Sequence, residues 1–573
     1  MLFRLLLAPL ALLVRVLLFP RRALRRVFAA PKGALIEVTL KGLIRETPAR
    51  PRKWWPPRNL LRRERASEVH VRSLRRVLDE AIADARVSGV LVRIDGLAGG
   101  WASFAALREE IARVRAAGKR LVAWLPHGGG NRELYVASAA STIVTPRTAD
   151  VALVGPKIEG HYARSALDKL GIDVELHARK EFKSAGDRVA RDGRSEADRQ
   201  QNEALLDAVF AALIAAVAEG RGVPEARVRG WIDDGPTHGE IAVERGLVDH
   251  VAHDDDLPTL LGAPVVPAGA YAERRGLGRS PYRLVRRRAI GIVEVHGAIA
   301  STATPLAQAM GPLAIAERVI ADLRAAERDP RIAAVVLDID SPGGTVGASD
   351  AIWAAAHRLA AKKPVVARMG DVAASGGYWI AVAAKTIVAR PLTVTGSIGV
   401  VAVRPIAARL AERLGIARDV IARGRFADLD AVTRAPTDEE RALFAREIDA
   451  HYGAFVAHVA AFRGMVPDEV ERVARGRVWT GAAALEQRLV DRLGGLDEAV
   501  AVLRSELGPL RLDEEPRVVV GRLPSRRDPA PRPAAAAILE LLPESLRTPA
   551  SPLVAAIAEG ARVAAIALVS QPR

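Results

Sequence analysis

Short apolar runs alternate with amphipathic segments along this chain. Strand-like runs lie at residues 34–40 and 290–296, and residues 313–326 carry apolar side chains at helical spacing. The apolar runs 333–337 and 364–368 are typical of strands buried on both faces of a parallel sheet. This alternation of strands and helices predicts an α/β fold.

The same pattern occurs twice. Residues 84–95 align with residues 329–340 at a shift of 245, and residues 99–171 align with residues 343–415 at a shift of 244. A period this long indicates a duplicated domain and not a solenoid repeat.

The duplication and the composition of the flanking segments divide the chain into five parts. A length of 573 residues suits two domains with extensions. The predicted parts are a basic, apolar, membrane-associating segment (1–32), a first domain carrying a lysine (33–268), a basic linker (269–288), a second domain carrying a serine (289–507) and a Pro/Ala-rich extension (508–573).

The N-terminal segment favours attachment to a membrane. Its apolar stretch, residues 5–19, is flanked by arginines but interrupted by Pro9 and Arg15. A spanning helix needs about 20 apolar residues, so spanning the bilayer and lying at its surface both stay open. Residues 45–65 mix arginines with two tryptophans, which suits either a membrane interface or a solvated loop.

Charge and composition exclude several classes of function and point to one candidate base. The net charge is +17, but aromatic residues make up only 4% and no nucleic-acid motif is present, which argues against nucleic-acid binding. The absence of cysteine excludes disulfides, thiol catalysis and cysteine metal sites. Lysine is scarce, and because arginine does not lose its proton in a protein, Lys183 stands out as a group able to act as a base.

Two glycine-rich turns in the second half carry the candidate chemistry. Asp340-Ser-Pro-Gly343-Gly344 follows a predicted strand, and its N–H groups suit either an oxyanion hole or a plain tight turn. Ser375, in Ala-Ala-Ser-Gly-Gly-Tyr, begins a predicted helix and is either a nucleophile or an N-cap. The two glycines after it favour the nucleophile, because a cap does not need bare backbone downstream.

The duplication points to the partner of this serine. Ser375 lies 52 residues before Ala427, and the equivalent pair in the first half is Asn131 and Lys183. One copy kept a hydroxyl and the other an amine, which suggests one active site built from both halves, with Lys183 taking the proton of Ser375 across a domain–domain contact. Such a lysine must be neutral, so its pKa must fall by about 3 units, which burial in an apolar cleft produces.

Histidine is the weaker alternative base. His127 precedes three glycines as in a lipase oxyanion motif, but the chain has no Gly-x-Ser-x-Gly sequence. His296 and His357 lie in patterns typical of a core.

These motifs together resemble the long, two-domain form of bacterial signal peptide peptidase, a Ser/Lys protease with tandem crotonase/ClpP-like domains. The resemblance covers residues 33–507 and rests on the two glycine turns, on Thr395-Gly-Ser-Ile-Gly399, on Phe182-Lys-Ser-Ala185 and on Arg477-Val-Trp-Thr-Gly481. It implies that Ser375 is the nucleophile, that Lys183 is the general base and that Ser397 orients the amine. It further implies that the Gly344 and Gly376 N–H groups form the oxyanion hole.

The resemblance also implies an oligomeric state, a cellular location and a class of substrates. It predicts a homotetramer at the bacterial inner membrane that degrades cleaved signal peptides and other hydrophobic peptides, without a metal or organic cofactor. Two other functions stay open on the residues alone. A crotonase-like acyl-CoA enzyme would share the oxyanion hole but needs no Ser/Lys pair, and a catalytically inactive membrane scaffold would need neither group.

Overall fold

The computed structural model describes residues 29–47, 68–277, 288–303, 311–510, 512–513 and 516–521. Most of the predicted membrane segment, of the Arg/Trp-rich segment 45–65 and of the C-terminal extension, and half of the linker, therefore lie outside the described residues. The described residues form two compact units, one within 29–99, 103–155 and 210–277 and the other within 100–102, 156–209 and 288–521.

The strands are numbered in chain order. They are β1 Ala34–Arg45, β2 Glu68–His70, β3 Val87–Ala98, β4 Arg120–Trp124, β5 Gly129–Gly130, β6 Thr142–Thr145, β7 Asp150–Ala152, β8 Asp173–Arg179, β9 Thr237–His238, β10 His250–Val251, β11 Val265–Pro267, β12 Ala289–His296, β13 Ala298–Ala300, β14 Leu313–Ile315, β15 Ile332–Ser341, β16 Val365–Ala374, β17 Thr386–Ala389, β18 Val394–Gly396, β19 Val400–Ile406, β20 Val478–Thr480, β21 Arg492–Leu493 and β22 Arg517–Val518.

The helices are named by their ranges. In the first half they are Val71–Ala83, Trp101–Ala116, Asn131–Ala137, Arg164–Leu170, Asp187–Ala190, Glu196–Arg221, Glu225–Asp233, Gly239–Glu244, Leu257–Leu261 and Ala268–Arg275, with 3₁₀ turns at Ser184–Gly186 and Asp254–Asp256. In the second half they are Ala316–Arg328, Val346–Ala360, Gly376–Ala381, Ala408–Arg413, Asp438–Arg463, Pro467–Val473, Gly481–Glu486 and Leu496–Leu507.

Each unit contains a sheet built mainly from parallel strands. In the first unit the order is β10-β6-β4-β3-β1-β11, with β2 added alongside β1. In the second unit it is β20-β18-β16-β15-β12-β22, with β17 between β16 and β21, and only β18 and β20 run antiparallel. The repeated order β4-β3-β1 and β16-β15-β12 is the duplication in structural form, and it confirms the predicted tandem α/β fold.

The hydrophobic pattern located the central strands well. The run 333–337 lies in β15 and the run 364–368 begins one residue before β16, and Val335, Val336 and Leu337 are fully buried. The predicted helix 313–326 begins late, because Leu313–Ile315 forms β14 beside β13 and the helix starts at Ala316. Three residues of a helical pattern thus serve as a short strand.

A second, smaller pairing lies in the unit that contains the serine. β8 runs antiparallel to β19, from Asp173 opposite Ile406 to Arg179 opposite Val400. β8 belongs to the first sequence repeat and β19 to the second, so residues 156–209 of the first repeat pack in the same unit as Ser375. Among the described helices, none is long and apolar enough to cross a bilayer.

Candidate active site

Ser375 occupies the sharp turn between a strand and a helix. β16 ends at Ala374 and the next helix begins at Gly376, so the chain reverses at the serine with φ of 54° and ψ of −118°. A non-glycine residue in this region costs on the order of 1–3 kcal/mol and persists only where its surroundings impose it. The Ser375 N–H donates to the Gly396 carbonyl oxygen (2.9 Å), which holds the turn against β18.

The hydroxyl of Ser375 is not used as a helix cap. Ser375 stands at the N-cap position, but its side chain accepts no hydrogen bond from the first turn. The structure therefore rejects the N-cap alternative and leaves the hydroxyl available for chemistry. The helix behind it is wholly buried and is held by Tyr378, whose hydroxyl donates to the Leu489 carbonyl oxygen (2.8 Å).

Lys183 reaches this turn because of the pairing of β8 with β19. The chain leaves β8 at Arg179 and turns back at once, with the Lys183 N–H donating to the Lys180 carbonyl oxygen (2.9 Å). Gly476 lies directly beneath it at a φ of +80°, and a Cβ built there would lie 2.6 Å from Lys183 Cβ. Only glycine lets the backbone approach the lysine this closely.

Three oxygen atoms surround the Lys183 amine. Nζ lies 3.0 Å from Ser375 Oγ, 2.9 Å from Ser397 Oγ and 2.9 Å from the Ser397 carbonyl oxygen. Ser397 also adopts a positive φ, of 51°, and its N–H donates to the Arg477 carbonyl oxygen (2.7 Å). The three side chains that the sequence predicted to act together are in direct contact.

The environment favours a neutral amine. Lys183 is only 7% exposed, and burial lowers its pKa from 10.5 to about 7. A neutral amine has two N–H donors and one lone pair. It can therefore donate to both oxygens of Ser397 and accept the Ser375 O–H, which is the arrangement that deprotonates a serine.

The predicted oxyanion glycines lie against the serine. A Cβ built on Gly376 would lie 3.3 Å from Gly344 N and 2.3 Å from Ser349 Oγ, so bare backbone is required at this position. Within the described part of the chain, neither the Gly344 N–H nor the Gly376 N–H donates to an acceptor. Two adjacent free N–H groups beside a nucleophile suit a developing oxyanion.

Gln201 is a supporting residue that the sequence did not indicate. Its buried amide donates to the Phe182 carbonyl oxygen (3.1 Å) and Ser184 Oγ (2.9 Å), the two neighbours of Lys183. Its Oε1 accepts from the Val478 N–H in β20 (3.2 Å). Gln201 follows another glutamine in a polar helix, so no pattern distinguished it.

Asn131 in the first repeat aligns with Ser375, and Ala427 in the second repeat aligns with Lys183. Neither position keeps the functional group of its counterpart. Asn131 is buried at the start of a helix, where Nδ2 donates to the Gly155 carbonyl oxygen (2.8 Å) and Oδ1 accepts from the Val154 N–H (3.0 Å). Ala427 lies exposed in a turn. The Asn131 amide thus serves the fold.

None of the three candidate histidines shares a hydrogen bond with Ser375 or Lys183 in the described part of the chain. The His127 side chain is 81% exposed, and the His357 ring stacks on Trp353 at 5.2 Å. His296 Nε2 lies 2.7 Å from Asp338 Oδ2; burial lowers its pKa, but this hydrogen bond and the carboxylate charge raise it more. Among the described residues, no group of three or more His, Asp or Glu side chains is placed to hold a metal ion.

Comparison with known proteins agrees with this arrangement. The model of peptidase family S49 matches residues 113–263 and 357–508, just over half of the chain. The model of Clp protease matches residues 307–394, which include Gly344 and Ser375.

Named relatives align over most of the chain. The chloroplastic serine protease SPPA of Arabidopsis thaliana is 34% identical over 74% of this chain and 64% of its own length. Protease 4 of Salmonella typhi is 29% identical over 76% and 72%, and Protease 4 of Haemophilus influenzae is 27% identical over 68% and 65%. The chain thus spans about two thirds of the length of these relatives.

Proposed function

The chain belongs to peptidase family S49, a family of serine proteases, and we propose that it hydrolyses peptide bonds with Ser375 as nucleophile and Lys183 as general base. The observation that carries this proposal is the 3.0 Å separation between Lys183 Nζ and Ser375 Oγ. Burial that lowers the pKa of Lys183 to about 7 supports it, because the lone pair is then available near neutral pH.

The reaction proceeds in two halves. Ser375 Oγ attacks the scissile carbonyl carbon while its proton passes to Lys183 Nζ, and the resulting ammonium then protonates the leaving amine as the C–N bond breaks. The acyl-serine ester is cleaved by water, whose proton passes to the same amine and then to Ser375 Oγ as that oxygen leaves. The peptide is split into an acid and an amine, and the enzyme returns to its starting state.

The Gly344 and Gly376 N–H groups are proposed to bind the oxyanion. Both lie beside Ser375, and the positive end of the helix Gly376–Ala381 adds to their effect. Ser397 is proposed to orient the amine, because its hydroxyl and carbonyl oxygen occupy both N–H donors and leave the lone pair for Ser375.

The substrates are proposed to be cleaved signal peptides and other hydrophobic peptides at the bacterial inner membrane. The resemblance to signal peptide peptidase supports this substrate class, and the apolar, arginine-flanked stretch 5–19 supports a membrane location. A homotetramer is proposed on the same resemblance.

A peptidase assay tests the proposal. Fluorogenic hydrophobic peptides should be cleaved by the wild type, while Ser375→Ala and Lys183→Ala should each lose at least about a thousandfold in kcat. Circular dichroism of all three proteins checks folding. A Lys183→Ala variant that keeps full activity would remove lysine from the mechanism, and a folded but inactive wild type would favour a scaffold.

A further inference from the structure

The turn that carries Lys183 into the site is lined by one short segment of the second repeat. This segment, residues 471–477, leads from a short helix into β20. Gly476 lies beneath the lysine, and a Cβ built there would lie 2.6 Å from Lys183 Cβ. The Arg477 carbonyl oxygen accepts from the Ser397 N–H (2.7 Å). The segment therefore contacts both the proposed base and the serine proposed to orient it.

Two residues of the turn form ion pairs with the same segment. Lys180 Nζ pairs with the Glu471 carboxylate, and the Glu181 carboxylate pairs with the Arg475 guanidinium. The turn thus presents a positive and then a negative charge, and the segment presents the opposite order. A slip of the turn that placed Glu181 beside Glu471 would bring two carboxylates together, which is unfavourable.

Phe182, the residue next to the lysine, is held by its backbone and by its ring. Its N–H donates to the Arg475 carbonyl oxygen (3.2 Å), and the Arg477 guanidinium lies 5.1 Å from the centre of its ring. The same guanidinium lies 4.4 Å from the centre of the Trp479 ring, so it contacts two aromatic side chains. Each residue from 180 to 183 therefore has a partner in the segment 471–477.

The Glu471 carboxylate is fixed by a second contact. The Tyr452 O–H donates to Glu471 Oε2 (2.6 Å), and Lys180 Nζ lies 5.7 Å from the centre of the Tyr452 ring. Burial raises the pKa of Glu471, but the hydrogen bonds from Lys180 and Tyr452 lower it more, so the carboxylate is charged. Of the two lysines in this turn, Lys180 thus pairs with a carboxylate, while Lys183 contacts Ser375.

These ion pairs add little to the stability of the protein. The side chains of Lys180, Glu181 and Arg475 are 46%, 39% and 48% exposed, and ion pairs at such exposure contribute little to the free energy of unfolding. Catalysis is more sensitive, because a displacement of about 1 Å can lower a rate by about a hundredfold. Weak restraints on this turn therefore matter more to the rate than to the fold.

We propose that residues 471–477 are a positioning template for the catalytic lysine, in which the two ion pairs set the register of the turn 180–183. The template delivers the Lys183 amine to Ser375 and keeps the Lys180 amine away from it. The inference rests on the proposed function, because it concerns the general base of that mechanism.

Reversal of the Glu181–Arg475 pair tests the template. Glu181→Arg and Arg475→Glu each place like charges together, and each should slow fluorophosphonate labelling of Ser375 by at least about tenfold. The double variant restores the pair with its charges exchanged and should return to within about threefold of the wild type. The matched control is Arg492→Glu, which breaks an exposed ion pair with Glu498 (3.0 Å) in the same unit and should leave the labelling rate unchanged.

The pKa of Lys183 gives a second readout that does not need hydrolysis. The pH dependence of Lys183 acetylation, followed by mass spectrometry, measures it in each variant. Burial lowers this pKa to about 7. It should move upward by at least about one pH unit in both single variants, where the amine is displaced toward solvent, and return in the double variant.

Single variants that label at the wild-type rate with an unchanged Lys183 pKa would overturn the inference. A double variant that stays as slow as the singles would overturn it as well, because charge pairing would not then set the register. A wild type that hydrolyses no peptide, but whose Lys183 pKa responds to the variants as expected, would contradict the proposed function and leave the template in place.

Discussion

At the scale of single residues, the proposed chemistry rests on two serines at positive φ and one buried lysine. Ser375 and Ser397 adopt φ angles of 54° and 51°. Residues other than glycine and asparagine seldom adopt such positive φ angles. Both are held by backbone hydrogen bonds, to Gly396 and to Arg477. With these backbone angles, the Ser375 and Ser397 hydroxyls both lie within hydrogen-bond distance of the Lys183 amine.

Gly376→Ala should lower kcat strongly while keeping the fold. The added methyl would lie 2.3 Å from Ser349 Oγ and 3.3 Å from Gly344 N, where the oxyanion is proposed to bind. Loss of oxyanion stabilisation lowers kcat by about 100- to 1,000-fold. The control is Gly347→Ala, because a Cβ there meets nothing within 4 Å. Equal kcat values in the two variants would exclude Gly376 from the oxyanion hole.

Two replacements of Ser397 should separate its effect on the orientation of the Lys183 amine from the backbone strain at its positive φ. Ser397→Ala removes one partner of the Lys183 amine, and a lost hydrogen bond of about 1 kcal/mol corresponds to roughly a fivefold fall in kcat/KM. Ser397→Gly should lose the same activity but gain thermal stability, because glycine adopts positive φ freely. If kcat/KM is unchanged in both, the hydroxyl does not orient the amine.

The sequence predicted the residues of the site better than their conformations. The pairing of Ser375 with Lys183 was found because the two repeats lost complementary groups, the glycine turns were found from their motifs, and Ser397 came from the family resemblance. The positive φ of each serine was not predictable, since residue type favours other conformations there. Gln201 was missed because its role depends on Val478, which is distant in sequence.

At the scale of elements, the pairing of β8 with β19 and the helix Glu196–Arg221 position the lysine. β8 carries the chain to Arg179, and Gln201 in the helix fixes the residues on either side of Lys183. Gln201 donates and accepts at the same time, which an amide does and an aliphatic side chain does not.

Gln201 variants should change the rate and the pH response in different ways. Gln201→Met, which removes the hydrogen bonds, should lower kcat by about tenfold with little change in KM. Gln201→Glu adds a negative charge near Lys183, which favours the ammonium form and should move the midpoint of the kcat/KM profile to higher pH. The neighbouring, exposed Gln200→Glu is the control. If kcat/KM depends on pH in the same way in both Glu variants, the role of Gln201 is purely structural.

The strand and helix pattern was predictable wherever elements are buried on both sides, as for β15 and β16. The pairing of β8 with β19 was not, because neither strand is apolar enough to stand out and their residues are more than 200 positions apart. Sequence analysis therefore placed the lysine in the first domain, whereas in the structure its segment packs in the same unit as Ser375.

For the whole molecule, a neutral buried lysine is a cost to stability. The unfolded chain binds a proton at this amine up to about pH 10.4, whereas burial lowers the folded-state pKa to about 7. Between those values the unfolded state holds more protons, so stability rises with pH. Below pH 7 the penalty is complete and is on the order of 5 kcal/mol.

Lys183→Met should therefore stabilise the protein in a pH-dependent way. Its Tm should exceed that of the wild type most at pH 6, and the difference should shrink as the pH approaches 10. Thermal unfolding followed by circular dichroism measures this, with the exposed Lys385→Met as control. A gain in Tm that is constant with pH would show that the methionine merely packs better.

The most direct test of the account is the pH dependence of Ser375 labelling by a fluorophosphonate, in the wild type and in Lys183→Met. The reaction forms a bond to Ser375 Oγ and needs no peptide binding, so it reports the activation of the hydroxyl alone. We expect the wild-type rate to rise with pH around a midpoint of about 7, as Lys183 loses its proton. The variant should react at least about a hundredfold more slowly and without that midpoint. A variant that reacts at the wild-type rate with the same midpoint would contradict the central claim that Lys183 activates Ser375.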